Sequence, residues 1–568
     1  MTATQPQGED IARGALCVVQ IKTATATQVP SVLQHPGLAP SFHPPTGAAA
    51  VRVNIDRFHF TRSDGHSRRC GGAVRHPSQH SVGSFAHREF QRPVKLHCLG
   101  QEIKILTYDQ GGAENVVFDG FVLDVELTYE VWGSYTAQLT AVTQSYKMDH
   151  TPRHAYYLEK TLTDVAQTLT GYAGLQSSVK GPSKKALNYV QWGESDFDFL
   201  NRLVDDYSCW LRPSAKGIEI FNSFQQGATL KWRDEEGLLK FKTKGTLGQP
   251  SFNGAHYDHH QMKSETYTKV SDDAQFYDSV GPLVDAVKNQ SKKVMPPGYV
   301  ANRARVMTLD DYQTVLKKES VRAIGGNITG HGESRNQQLL PGNTRQIEGN
   351  LDAHGTYGVT KVTHRWTTTG YVNEFWCTTW KGYTNPDPPP VNKWLGVVPA
   401  RVMDNNDPAQ MGRIQVQYYW QEDSTAYWAR MITPHAGADR GFMFMPEVGD
   451  EVMVAFEDGD FERPIVLGCV WNGVDKAPRQ EFWGGELQDN DVKRIVTKSG
   501  HRIQMVDKQG KESIVVATPK HLKVSLIEST DETGRSMLTL YSDNGDIFLS
   551  APNGRIHFQS KFFSRDIG

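Results

Sequence analysis

Chemistry in this chain would have to come from a few clustered side chains. His256, Asp258, His259 and His260 lie close together. Imidazole and carboxylate together can hold a borderline divalent ion such as zinc. Their spacing matches no metal-binding motif, so a structural or surface role is expected and no metal is assigned. His331-Gly332-Glu333-Ser334 places an imidazole, a carboxylate and a hydroxyl in one tetrapeptide. A nucleophilic serine of the hydrolase kind sits in a G-x-S-x-G elbow, which this is not, so the stretch reads as a loop. Cys17, Cys70, Cys98, Cys209, Cys377 and Cys469 are scattered with no CxxC spacing, which predicts reduced thiols in a cytoplasmic fold. No catalytic residue and no cofactor site follows from any of these.

The elements that would position such groups are mostly strands. Val51–Ile55, Gly120–Leu127 and Tyr135–Val142 alternate with period two, the pattern of half-buried strands. Asp109-Gln110-Gly111-Gly112 supplies a turn. Two helices stand out. Leu162, Val165, Leu169 and Tyr172 recur at helical spacing until Gly171 and Gly174 end the pattern. Ser195 reads as an N-cap with Asp198 three residues on, followed by Phe199, Leu200, Leu203, Val204 and Tyr207. Trp210 to Trp232 returns to strands, and 240–380 holds more strands with one weakly helical stretch at Asp310–Ile324. Asn385-Pro386-Asp387-Pro388-Pro389-Pro390 is a stiff linker, because proline fixes φ and cannot donate to a ladder.

Length and charge narrow the function classes. With 568 residues, three or four domains are expected. A formal net charge of -2 predicts no nucleic-acid or anionic-membrane surface. No run of about 18 apolar residues is present, so no spanning helix is expected. Met1–Asp10 lacks the basic start and apolar core of a secretory signal; export, if any, would use a route that reads no cleavable signal.

The last third carries the most information. Gly412–Trp420, Val448–Asp460 and Arg463–Gly468 alternate strands with tight turns, as in a small closed barrel. From Val492 to Gly568 short β segments follow one another. Ser536–Ser542, Asp546–Ala551 and Arg555–Ser560 are separated by turns at Asn544-Gly545 and Asn553-Gly554, a repeat of about ten residues. Isolated ribbons are marginal in water and leave open edges. Such a repeat must stack on its neighbours as a solenoid or wind with other copies into a needle.

The residues that carry this pattern resemble a known family. Trp428–Gly437, Gly441–Val452, Asp458-Gly459-Asp460, Arg463-Pro464 and Gly468–Asn472, with Gly412–Val416 and Trp420, look like the OB-fold of VgrG proteins. These are type VI secretion spikes related to the hub and spike of contractile phage tails. Thr497–His501 and Gly545–Gly554 are similar to the family's needle, and Gly193–Leu203 to its hub helix.

The resemblance implies a mainly β homotrimer with minor α. A hub of two β-barrels with inserted helices would span 1–385, a Pro-rich linker 386–395, an OB-fold 396–475, a connector 476–491 and a trimeric β-prism needle 492–568. It implies a structural, non-enzymatic spike with an Hcp-like hexameric tube, a PAAR-type tip protein, baseplate components and cargo effectors or adaptors as partners. Such a spike is cytoplasmic when assembled and injected on firing. A phage-tail or extracellular-injection spike is the nearest alternative, and a secreted cell-wall hydrolase a distant one. The gap between Trp471 and Val492 is too short for a hydrolase domain, and the ending Phe562–Gly568 is read as lacking a fused effector. Phe562, Phe563 and Ile567 are expected to dock the tip protein. Glu447, Asp450, Glu451, Glu457, Asp458, Asp460 and Glu462 give the barrel an acidic character that argues against nucleic acid. His256 to His260 would fall in a hub connection.

Overall fold

Alternation between residues 50 and 145 becomes a six-stranded antiparallel sheet. In a computed structural model of the chain, the structure describes residues 17–23, 26–28 and 50–55, and then, with short breaks, 99–300, 326–381, 394–478 and 491–561, together with Leu316 and Arg322. The sheet runs Ala26–Gln28, Cys17–Thr23, Glu102–Tyr108, Glu114–Tyr129, Tyr135–Val142, Ala50–Ile55. Ile103, Ile105, Phe118, Val122, Leu139 and Ala141 are buried in it, as the period of two requires. The chain divides into two units, Met1–Gly468 and Cys469–Gly568.

Both expected helices form. Helix α1, Leu162–Tyr172, buries Leu162, Val165 and Leu169, and Gly174 beyond its end takes φ +68°, which glycine adopts without Cβ strain. A reciprocal capping box closes its start: Asp164 N–H donates to Thr161 Oγ1, and Thr161 N–H donates to Asp164 Oδ2. Helix α2, Asp196–Asp206, starts at Ser195, whose hydroxyl oxygen accepts from Asp198 N–H at 3.1 Å. Only this forward half of the box is present there, and the Ser195 hydroxyl itself donates to Asp149 Oδ1 at 3.0 Å. The buried faces of α1 and α2 share one core with Met148, Tyr157, Tyr189, Cys209, Ile218 and Ile220.

A second six-stranded sheet orders Thr229–Lys231, Thr344–Glu348, Gly355–Thr367, Gly370–Thr378, Ile328–Ser334, Leu238–Gly245. A third helix, α3 at Gly281–Val294, packs Val284 and Val287 into its core beside Leu230, Ile328 and Phe375. Its sequence signals were Pro282 in the first turn and the spacing of Leu283, Val284 and Val287. The helix expected at Asp310–Ile324 and the linker at 386–395 lie largely outside the described residues. Among the described residues neither six-stranded sheet is closed.

One closed barrel is present among the described residues, in the order Val398–Asp404, Ile414–Tyr418, Tyr427–Met431, Pro464–Cys469, Glu451–Phe456. Its interior is filled by Val398, Ala400, Val402, Ile414, Val416, Ala429, Val452, Val454 and Val466. The Asp407 turn precedes the second strand. Its carboxylate accepts from the Ala409, Met411 and Arg413 amides and from the Arg413 guanidinium, and these donors hold its pKa well below the usual carboxylate range.

In the second unit, Val492–Val496, Arg502–Val506, Ser513–Ala517, Lys523–Ile527 and Met537–Tyr541 form a five-stranded antiparallel meander. The strands expected at Asp546–Ala551 and Arg555–Ser560 are absent in the single chain, and Ile547, Phe548, Leu549 and Phe558 are exposed. A β segment needs a ladder partner, and none is paired to them within this copy.

Candidate functional site

His331 and Ser334 have structural partners. His331–Ser334 is not a loop but lies on a central strand of the second sheet, Ile328–Ser334. The period of two turns His331 outward, 2.7 Å from Glu374 Oε1, and Ser334 inward. There the Ser334 hydroxyl is fully buried and donates to Asn373 Oδ1 at 3.0 Å. It anchors a buried network in which Asn373 Nδ2 donates to Asn336 O and to Tyr371 Oη, and Tyr371 Oη lies 2.6 Å from His364 Nδ1. Burial lowers the His364 pKa to about 3, so the ring is neutral and serves to hold the 335–343 turn. A serine sealed in this way cannot meet a substrate.

His256 and Asp258 sit on the strand Ser251–Asp258. Their side chains, and His259 and His260 altogether, lie outside the described residues. No group of three metal-ligating side chains occurs among the described residues. Cys209 and Cys377 are buried free thiols and Cys469 is an exposed one; burial pushes the Cys377 thiol far up.

The acidic residues of the barrel do not form a single ligand surface. Asp450 accepts from the Glu447 amide, Asp460 from the Glu462 amide, and Glu457 pairs with Arg463 at 2.9 Å. Three of the seven carboxylates thus shape the turns that close the barrel. Phe562, Phe563 and Ile567, expected to dock a tip protein, lie outside the described residues.

Two features remain that join parts together. The first is a long-looped hairpin: Pro152–Tyr157 and Tyr189–Ser195 pair antiparallel as a two-stranded sheet, with helix α1 and the strand Gln176–Lys180 between them in the chain. Its strands alternate between two cores: Tyr157 and Tyr189 face the α1–α2 core, whereas Tyr156 and Val190 complete the core of the closed barrel. Gly193, at φ +60°, is the extra residue that sets Trp192 opposite His154. Trp192 then stacks on Phe461 (4.3 Å, 23°) and meets Trp420 edge-on (4.1 Å, 85°). Tyr156 stacks on Tyr418 at 5.9 Å, and burial raises the pKa of both phenols. A buried ion pair of Arg202 with Glu194, in which Arg202 Nη2 also donates to Val190 O at 3.0 Å, holds the hairpin to α2. Arg153 pairs with Asp196 at 3.0 Å and lies over the ring of Tyr172, the exposed last residue of the α1 stripe, at 4.3 Å. Tyr189-Val190-Gln191-Trp192 does not alternate strictly, so the local sequence gives no signal of this joint.

The second feature is the outer face of the C-terminal meander. Register aligns Ile495, Ile503, Val516, Val524 and Leu540 in one row across all five strands, and Met505, Ile514, Leu526 and Leu538 in a second. All nine side chains are exposed in the single copy. The opposite face buries Val506, Val515 and Ala517.

Parts of the chain match known proteins. Residues 398–471, the closed barrel, match the "type VI secretion system/phage-baseplate injector OB domain" model. Residues 73–217, including the hairpin and both its helices, match the "phage tail baseplate hub" model. The chain is 27% identical over 164 residues to the type VI secretion system spike protein VgrG5 of Pseudomonas aeruginosa, covering 26% of this chain and 20% of that protein. It is 30% identical over 117 residues to VgrG1a of the same organism, covering 19% and 18%. The matched stretches thus span about a fifth of those relatives' length. In fold, the chain is similar to a chain of the Francisella PdpA-VgrG complex in its half-lidded form, with a TM-score of 0.57, 9% identity and coverage of 94% and 89%. The lidless PdpA-VgrG complex gives 0.58, 10%, and 93% and 99%. A mainly β chain with a hub match over 73–217 and an OB match over 398–471 is thus similar, over those stretches, to the VgrG spike proteins.

Proposed function

We propose that this chain is the spike of a contractile injection machine of the type VI secretion kind, and that it works as a homotrimer without enzymatic activity. The observation that carries the reading is the pair of exposed apolar rows on the C-terminal meander. A contiguous apolar face of this extent marks an interaction surface, and among the described residues the sheet's two edge strands are open as well. Three copies around one axis would cover the rows and supply ladder partners to residues 546–558, which belong to no strand, giving a needle stiff enough to concentrate sheath work on a small tip. The upstream sheets would form the barrels of a hub seated on a hexameric tube, and the closed barrel a collar. Baseplate components and cargo effectors or adaptors complete the partner set, with no nucleic acid. Such a spike is assembled in the cytoplasm and injected on firing. Light scattering of the full chain should give a mass about three times the 63.5 kDa of one copy. A compact monomer would overturn the reading in favour of a single-chain solenoid.

The terminal Phe562, Phe563 and Ile567 would present an apolar patch in triplicate at the needle end, suited to a PAAR-type tip protein. Phe562→Ser with Phe563→Ser should abolish capture of the tip protein in a pull-down while the trimer mass stays unchanged. Retained capture would sink this assignment.

A further inference from the structure

We propose that the 152–157/189–195 hairpin is a two-sided rivet that makes the α1–α2 layer and the closed barrel one mechanical body, with Trp192 as the residue that couples them. The inference deepens the spike reading: work delivered to the hub can reach a needle only if the barrel does not swivel on the hub.

Three observations support it. The first is topological. Successive residues of both strands enter different cores: Tyr157 and Tyr189 on one side, and Tyr156 and Val190, with Leu158 and Trp192 packed behind them, on the other. A strand cannot translate its two faces independently, so displacement of the helix layer is imposed on the barrel through a rigid ladder.

The second is the packing around Trp192. Its ring lies against Phe461, Trp420, Trp394 and Phe456 with centroids at 4.3, 4.1, 5.5 and 6.3 Å, and His154 closes the group at 4.7 Å. Stacked and edge-on pairs hold rotation as well as distance, because each departs from its preferred geometry when a ring turns. The partners come from the barrel's Phe456 strand end, the Phe461 turn, the residues after Tyr418 and the lead-in to Val398. One side chain therefore gathers several separate parts of the barrel.

The third is the electrostatic lock on the other face. Glu194, next but one to Trp192, forms the buried pair with Arg202 of α2, whose guanidinium also donates to the Val190 carbonyl. Gln191 donates to Asp196 Oδ1 at 2.9 Å, and Asp196 receives Arg153 as well. The hairpin is thus fixed to α2 by directional bonds and to the barrel by aromatic faces.

Native-state hydrogen exchange on the full chain, with calorimetry, tests the proposal. In the wild type, amides of Asp196–Asp206 and Ile414–Tyr418 should open together, within one calorimetric transition. Trp192→Ala should split that transition in two and speed exchange in Ile414–Tyr418 about tenfold while leaving Asp196–Asp206 protected. Trp192→Phe should restore a single transition. A single transition that only moves to lower temperature in Trp192→Ala would overturn the coupling role, leaving Trp192 an ordinary packing residue. If Trp192→Ala does not fold, the wild-type exchange pattern decides: separate opening of the two segments overturns the proposal. Because these readouts concern one chain's internal cooperativity, they can fail while the trimer mass stands, and the reverse.

Discussion

Ile514→Asp combined with Val516→Asp should reduce the solution mass of the full chain from about three copies to one. The two residues stand at the middle of the two apolar rows: Ile514 lies opposite Met505 and Leu526, and Val516 opposite Ile503 and Val524. Each of the nine row side chains is roughly half covered in one copy, so completing its burial is worth on the order of 1 kcal/mol. A row of this kind contributes several kcal/mol per copy to association. Two carboxylates placed there lose that gain and add desolvation without a counter-ion, several kcal/mol more, repeated in every copy. The single-copy sheet should survive, because the substituted side chains are exposed in it and its covered face, with Val506, Val515 and Ala517, is untouched. Light scattering measures the mass and circular dichroism checks that strand content is kept. A variant that keeps the wild-type mass would show that the rows are not the self-association surface.

Glu194→Ala should destabilise the first unit by about 3–5 kcal/mol. Arg202 and Glu194 are each more than nine-tenths buried, and they satisfy each other through two contacts, one of them Arg202 Nε to Glu194 Oε2 at 3.1 Å. Removing the carboxylate leaves a guanidinium desolvated, with the Val190 carbonyl as its remaining acceptor in this group. The penalty is that of an uncompensated charge and exceeds the net worth of the pair. The melting temperature should fall by roughly 10 °C. Replacing both partners by apolar residues of similar size, Glu194→Met with Arg202→Leu, should recover most of the loss, since a well-packed apolar pair avoids the desolvation term. Denaturant unfolding of the three chains distinguishes the cases. A loss below about 1 kcal/mol in Glu194→Ala would mean that Arg202 reaches water in the folded protein.

The expected results rest on unequal parts of the sequence. Alternation at Gly120–Leu127 and Tyr135–Val142, the stripe of Leu162, Val165 and Leu169, and the Ser195 cap were all legible, because each reflects a local period or a cap of a few residues. The closed barrel at 398–469 was legible for the same reason: its inward valines and alanines alternate strand by strand between tight turns. The short β segments after Val492 were legible as well, and five of the strands there pair into the meander.

What only the tertiary structure decided is which faces meet. Ser334 and His331 stand three residues apart, yet one is sealed beneath Asn373 and the other turned outward to Glu374, because a strand sends odd and even positions to opposite sides. Helix α3 carries only a short apolar stripe, and it is burial against the second sheet that holds Val284 and Val287 in place. Trp192 gave no local sign of its role: Phe461 and Trp420 are more than two hundred residues away in sequence, and such proximity exists only after the chain has closed. Local periodicity is set by backbone geometry and is written in neighbouring residues, whereas a joint between two cores is set by long-range packing.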